Sequence, residues 1–286
     1  MNAIHDPDVN FRNESEVKEY VKGIYSFLRK KETELPIRKN FLDGHRTNPT
    51  MRAMLINWLV AVHTCAKMII ETLHICVAIV DRYLQDHRRV GRKNFQLVGI
   101  SAILIACKYE ERHLPDIRDL EQACSYKYSG RQILEMESNI LKALNFNLGR
   151  PLSLNFLRKY NNISRASIIH HTLGKYILEL ALMEYEISHV KPSLQAAAAC
   201  CLSRGILDGV IDLSTLWTPS LVCFTKYVYC DFKEVVERLA DILAHSETSQ
   251  FQNIREKYAL EENRRISSNP KLKAALNVKF AKKLKG

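Results

Sequence analysis

The chain has 286 residues, 47% of them hydrophobic and 26% charged, with a formal net charge of +11. That is an ordinary globular composition with room for two modest domains or one large one. No stretch reaches the ~18 uninterrupted apolar residues of a membrane span, and the polar, acidic start MNAIHDPDVNFRNESE is no secretory signal. The expectation is a soluble intracellular protein with no membrane partner, in which the sequons at Asn13 and Asn162 carry no weight. Eight cysteines without CxxC spacing fit reduced thiols packed as small hydrophobes, and no metal or other cofactor is expected.

Helical periodicity dominates, and convincing strand alternation is absent. Val17, Tyr20, Val21, Ile24, Tyr25 and Leu28 mark a first amphipathic helix, with Asn13 and Glu16 spaced like a capping box. A loop with Pro36, Gly44 and Pro49 leads to MRAMLINWLVAVH (51–63), where Arg52 sits among apolar residues that nearly encircle the axis. A charge there must reach water or be paired. ETLHICVAIVDRYLQ (71–85) and FQLVGISAILIACKYEE (95–111) follow. The second of these is apolar all round and rich in small residues, as expected of a central helix. Short DIRDLEQAC (116–124) and SGRQILEMESNILKALNF (129–146) close the set.

After GRPLS (149–153) the pattern restarts with HHTLGKYILELALMEYEI, PSLQAAAACCLSRGILD, TPSLVCFTKY and FKEVVERLADILAHS. Two all-helical units, each built around a small-residue helix, predict a weak internal repeat of roughly 100 residues, unlike the short solenoid periods. The expected division is an N-terminal segment and helix (1–48), a first helical domain (49–148), a second (149–250) and a basic tail (251–286). The tail holds ten Lys/Arg and three Glu, which suits a solvated face, or attraction to nucleic acid or an acidic protein surface.

Catalytic signatures are missing: there is no Gly-rich phosphate loop, no GxSxG elbow and no HExxH. Adjacent His170 and His171 cannot share one helix face. The chain is expected to act by binding rather than by catalysis.

MRAMLINWLVAVH resembles the signature helix of the cyclin box, and KYEER after the small-residue helix resembles its central landmark. LNFNLGRPLSLNFLRKY, HHTLGKY, the KPSLQAAAA run and the closing REKYA…ISSNPKLKAAL resemble B-type mitotic cyclins. The resemblance covers residues 12 to 280, almost the whole chain. It implies an all-α protein, two tandem five-helix cyclin folds preceded by an N-terminal helix, serving as regulatory subunit of a mitotic cyclin-dependent kinase in nucleus and cytoplasm. Few residues precede the first predicted helix, whereas such cyclins carry a long N-terminal region with a destruction box. The expectation is therefore a shortened chain or one that has lost its degron. Arg52–Leu55 and Arg131–Leu134 match RxxL only within predicted core helices.

Residue roles follow from the same resemblance. Arg52 and Asp81, each within an apolar helix, are expected to form a buried structural ion pair. Lys108 and Glu137 are expected to grip the kinase's C helix, with Tyr109, Phe146, Tyr20 and Ile24 adding apolar contacts. From the pattern alone, Glu137 could equally be a lone boundary charge or half of an internal salt bridge. Met51, Met54, Leu55, Trp58, Phe95 and Gln96 are implied to form a shallow groove for RxL-type motifs, although periodicity alone makes them core. Asn57 and Ala61 stand where other cyclins often carry acids, which weakens the expectation for basic motifs. Arg158, His171 and Lys175 match a phosphate-binding pocket of B-type cyclins, and without the resemblance would read as solvated surface charges. His171 and Lys175 are four apart, hence neighbours on one helix face.

The strongest rival is a two-cyclin-fold general transcription factor of the factor IIB type, binding DNA and a partner; a plain helical scaffold is the other. No zinc ribbon precedes the folds, and basic and aromatic residues are not clustered as a recognition surface, so no nucleic acid is expected.

Overall fold

The computed structural model describes residues 18–277, and every regular element among them is helical. Helix α1 (Lys18–Glu34) precedes a set of five: α2 (Pro49–Cys65), α3 (Ile70–Leu84), α4 (Arg92–Glu110), α5 (Ile117–Ala123) and α6 (Gly130–Ala143). A second five follows: α7 (Ser153–Ile163), α8 (Ile168–Met183), α9 (Pro192–Asp208), α10 (Pro219–Thr225) and α11 (Lys233–His245). Short helices α12 (Asn253–Lys257) and α13 (Pro270–Asn277) come last. The capping box expected at Asn13 and Glu16 lies outside the described residues.

The punctuation is local chemistry. Asn48 caps α2 by accepting the Met51 N–H at 2.9 Å, with Pro49 opening the helix, where its missing N–H costs nothing. Asp116–Asp119 and Ser129–Gln132 form capping boxes for α5 and α6. Helix α7 begins two residues after the Gly149–Pro151 break, without a side-chain cap at Leu152, and buries Leu154, Phe156, Leu157 and Tyr160.

Each set is organised around its small-residue helix. Gly99, Ser101, Ala102, Ala106 and Cys107 are buried along α4, which packs against α2, α3 and α6. Ala196 to Ala199, Cys200, Cys201 and Ser203 are buried along α9, which packs against α7, α8 and α11. Small side chains let neighbouring axes approach closely while the larger Leu and Ile side chains around them fill the space. All eight cysteines are free; Cys65, Cys223 and Cys230 are exposed and the other five buried.

Helix α1 belongs to the second set although it precedes the first. Its inner face carries Tyr25, Leu28, Arg29 and Glu32. Tyr25 donates to the Asn155 carbonyl at 3.0 Å, and Arg29 lies 4.3 Å over the Tyr227 ring. Glu32 is buried and accepts the Ser193 N–H at 3.0 Å and hydroxyl at 2.7 Å. A carboxylate from α1 thus satisfies the exposed N–H end of α9 and meets its positive pole.

The C-terminal segment departs from the expectation of a basic tail. Ile254, Tyr258, Ile266 and Leu272 are buried, and Lys257 and Lys271 are engaged inside the protein. Asn253 binds Asn57 of α2 through its side-chain N–H to the Asn57 carbonyl at 2.7 Å. Residues 253–277 are a strap across both sets, because apolar residues spread over several short turns are enough to fasten it.

Candidate functional site

Lys108 in the last turn of α4 and Glu137 on α6 meet at 2.7 and 2.9 Å. The carboxylate side chain is 9% exposed and the ammonium side chain 44%, so the pair opens to solvent on the lysine side. The internal-salt-bridge alternative therefore describes this state. Exposed apolar side chains come from neighbouring elements: Tyr109 (52%) beside Lys108, and Phe146 (69%) just after α6. Asn145 and Phe146 both have positive φ, 50° and 56°. A bulky residue there is strained, and the fold tolerates the strain while leaving an aromatic ring in water.

On α1, Tyr20 (64%), Ile24 (44%) and Phe27 (57%) face outward, opposite the face that holds α9. The single stripe read from sequence is thus split, with Tyr25 and Leu28 turned inward. Phe27 on α1 and Leu134 on α6 are further exposed apolar residues that sequence reasoning missed; Phe27 lies opposite the inner face of α1, and Leu134 flanks the buried stripe of α6, three residues before Glu137.

The expected docking groove needs correction. Met54 is 49% exposed and Met51, Trp58 and Gln96 are half-buried, but Leu55 and Phe95 are core, 6% and 5% exposed. Gly99 explains Leu55: a Cβ there would come within 2.7 Å of Leu55 Cδ1, so the leucine fills the space that the glycine leaves between α2 and α4. What reaches solvent is Met51, Met54, Trp58 and Gln96. Asn57 is held by the C-terminal strap.

Arg158 on α7 and His171 and Lys175 on α8 lie on packed helices, but not as exposed charges. His171 has no exposure, with Nδ1 2.8 Å from Asn161 Nδ2, and Lys175 is buried. Arg158 donates to Glu71 of α3, with side chains 19% and 10% exposed. Only Arg158 keeps partial exposure in this conformation, and its guanidinium is already occupied by a carboxylate from the first set. His170, partly buried, turns the other way and reaches the more exposed Asp208 at 2.9 Å.

Arg52 and Asp81 form a bidentate pair, Nε to Oδ1 and Nη2 to Oδ2 at 2.7 Å each, with side chains 1% and 2% exposed. Arg52 Nη1 also donates to the Met183 carbonyl at 3.3 Å, so the same side chain ties α2 to the end of α8. Below it, Glu179 on α8 is wholly buried and accepts from Lys257 and Tyr258. Burial works against that charge, but Lys257, His63 and the Tyr258 hydroxyl hold its pKa below the usual carboxylate value. Burial pushes His63 down to about 4 and His74 to about 3, so both are neutral.

Residues 23–149 match the N-terminal domain of cyclins and residues 151–272 the cyclin C-terminal domain. The chain is 37% identical to G2/mitotic-specific cyclin-B2 of Oryzias luzonensis over 276 residues, covering 96% of this chain and 70% of that one. It is 40% identical to cyclin-B2 of Bos taurus, covering 99% of this chain and 70% of the relative, and 40% identical to cyclin-B of Spisula solidissima, covering 91% and 59%. Among solved structures, a viral cyclin from herpesvirus saimiri superposes with a TM-score of 0.67 at 18% identity, covering 76% of this chain and 95% of that one; at that identity the match concerns the fold. With two five-helix sets matching both cyclin domains and B-type relatives aligned along nearly its whole length, this chain belongs to the cyclins, in the G2/mitotic B-type family.

Proposed function

We propose that this cyclin binds and activates a mitotic cyclin-dependent kinase, contributing position rather than chemistry. The observation that carries the reading is the half-open Lys108–Glu137 pair with exposed Tyr109 and Phe146 on its own set of helices and Tyr20, Ile24 and Phe27 on α1. Aromatic and aliphatic anchors around a partly desolvated charge pair are the composition of an interface core. Phosphoryl transfer by a kinase requires the ion pair between its β3 lysine and its C-helix glutamate, with the activation loop clear. A cyclin that binds the helix-in conformation more tightly shifts the kinase population towards it by that difference in affinity. Lys108 offers donors to carbonyls at the end of a helix and Glu137 offers acceptors to N–H groups.

Substrates would dock on the reduced groove of Met51, Met54, Trp58 and Gln96. Phosphorylated partners would use Arg158, His171 and Lys175 after Glu71 yields Arg158. The assembly would act in nucleus and cytoplasm to promote entry into mitosis. The transcription-factor reading loses support, since Lys257 and Lys271 of the basic segment are occupied within the fold.

The test mixes purified cyclin with a monomeric mitotic kinase and measures histone phosphorylation. Activity should rise with wild type. The double reversal K108E/E137K keeps an internal pair, so folding should survive while activation falls by an order of magnitude or more. No gain with saturating wild type would refute the reading.

A further inference from the structure

The turn between α3 and α4, QDHRRVGRKN, concentrates Arg88, Arg89, Arg92 and Lys93, all exposed. None of the four forms an ion pair among the described residues. The single carboxylate in the turn, Asp86, is taken by Arg38, whose Nη2 lies 2.6 Å from Oδ1. Four cations therefore stand without a neutralising anion of their own. Their field is felt locally: after burial, the charge of Arg88 is what lowers the pKa of His45.

Two of the four, Arg88 and Arg89, line an open pocket of about 700 Å³ together with the Arg38–Asp86 pair, Tyr83, His87, Val90, Asn94 and Met136. Arg92 and Lys93 follow at the adjoining start of α4. The first turn of α4 carries no acidic residue and its N-cap, Gly91, offers no side-chain acceptor. Where a long helix would ordinarily attract an anion, this one presents Arg92 and Lys93 instead. Like charges gathered there raise the energy of the free protein, and an anionic ligand relieves that repulsion.

We propose that this pocket is a docking site for an acidic segment of a protein partner, separate from the Lys108–Glu137 surface and from the Met51–Met54–Trp58 groove. Guanidinium forks match carboxylates in bidentate geometry, and Met136 and Val90 give an apolar side chain between the acids somewhere to rest. A single-stranded nucleic acid would want aromatic platforms for its bases. The pocket's one phenol ring, Tyr83, is buried and already stacked on His87, with centroids 4.1 Å apart and planes 10° apart. The concavity suits an extended peptide better than a duplex. The inference does not rest on kinase activation, because the site is complete in the cyclin itself.

The experiment is fluorescence anisotropy on the full cyclin without kinase. The probes are a fluorescein-labelled Glu-rich peptide with one central Leu, a Gln-for-Glu control of equal length, and a single-stranded oligonucleotide of equal charge. The Glu peptide should bind, the Gln peptide should not, and affinity should fall as salt rises and the Debye length shortens to about 8 Å at 0.15 M. R88E/R89E and, separately, R92E/K93E should each weaken binding roughly tenfold, as expected for pairs of exposed ionic contacts. All four positions are exposed, so both variants should keep the wild-type melting temperature. Absence of Glu-peptide binding to wild type, binding to both variants as tight as to wild type, or tighter binding of the oligonucleotide overturns the proposal.

Discussion

Lys257, from the C-terminal strap, donates to both oxygens of Glu179 at 2.9 Å, and Glu179 has no exposure at all. The strap is therefore the counter-charge of a carboxylate in the core of the second helical set, while Asn253 a turn earlier holds α2 of the first. Removing it would uncover apolar surface and strand a buried anion. We predict that Lys257→Met destabilises the protein by roughly 3–5 kcal/mol, the range for breaking one side of a buried pair. Lys257→Met with Glu179→Leu should recover much of that loss. Urea denaturation of the single and double variants provides the comparison, and a single variant as stable as wild type would show that the pair contributes nothing.

The neighbouring histidines make stability depend on pH. His63 and His74 fall from an ordinary 6.5 to about 4 and about 3 in the folded protein. The unfolded chain therefore binds protons first as pH drops. Stability is intact above about pH 6.5 and is lost as pH falls towards those folded values, at about 1.4 kcal/mol per unit for each histidine. By pH 5 the two together should remove about 4 kcal/mol. Glu179, whose folded pKa is lowered, adds its own loss in the same direction below about pH 4.5. Denaturant midpoints at pH 7.5 and pH 5 should differ accordingly, and His74→Phe should flatten the dependence. A midpoint that does not move between these pH values would contradict the burial argument.

A third expectation concerns Arg52 and Asp81. Arg52→Ala leaves Asp81 without its two donors in a fully buried site, and should lower stability by roughly 3–5 kcal/mol. Arg52→Met with Asp81→Leu should be much milder, since apolar replacement of both partners removes the desolvation penalty together with the attraction. Circular dichroism melts would resolve the two.

The fourth bears on phosphate recognition. If Glu71 competes for Arg158, Glu71→Gln should strengthen phosphopeptide binding severalfold, as expected when a charge-assisted bond to the guanidinium is weakened. Arg158→Ala should abolish the gain. Titration with paired phosphorylated and unphosphorylated peptides is the measurement, and a loss of affinity in Glu71→Gln would mean that Glu71 positions Arg158 rather than blocking it.

The helical organisation could be read from the chain because Pro49, Pro192 and Pro219 open helices and because the two small-residue runs can only be interior. Arg52 was informative for a related reason: a cation among apolar neighbours forces the question of its partner, and Asp81 stood in an equally apolar run. Other positions were ambiguous in principle. Periodicity cannot say whether Leu55 and Phe95 face a partner or the protein's own core; Gly99, on another helix, settles Leu55. His170 and His171 had to point apart, yet which one is buried depends on the rotation of α8 against α7. The C-terminal strap was hidden by its charge, since Ile254, Tyr258, Ile266 and Leu272 follow no single period.

The seat of α1 has a consequence for how this cyclin meets a partner. Glu32 fixes the helix to the start of α9, whereas Tyr109 and Phe146 belong to the first helical set. A kinase touching Tyr20, Ile24, Tyr109 and Phe146 together would be reading the spacing between the two sets, as a gauge reads a gap. Part of the ordering cost of that surface then falls on folding rather than on association. A change at Ser193, remote from the exposed rings, would alter how wide the gauge is set.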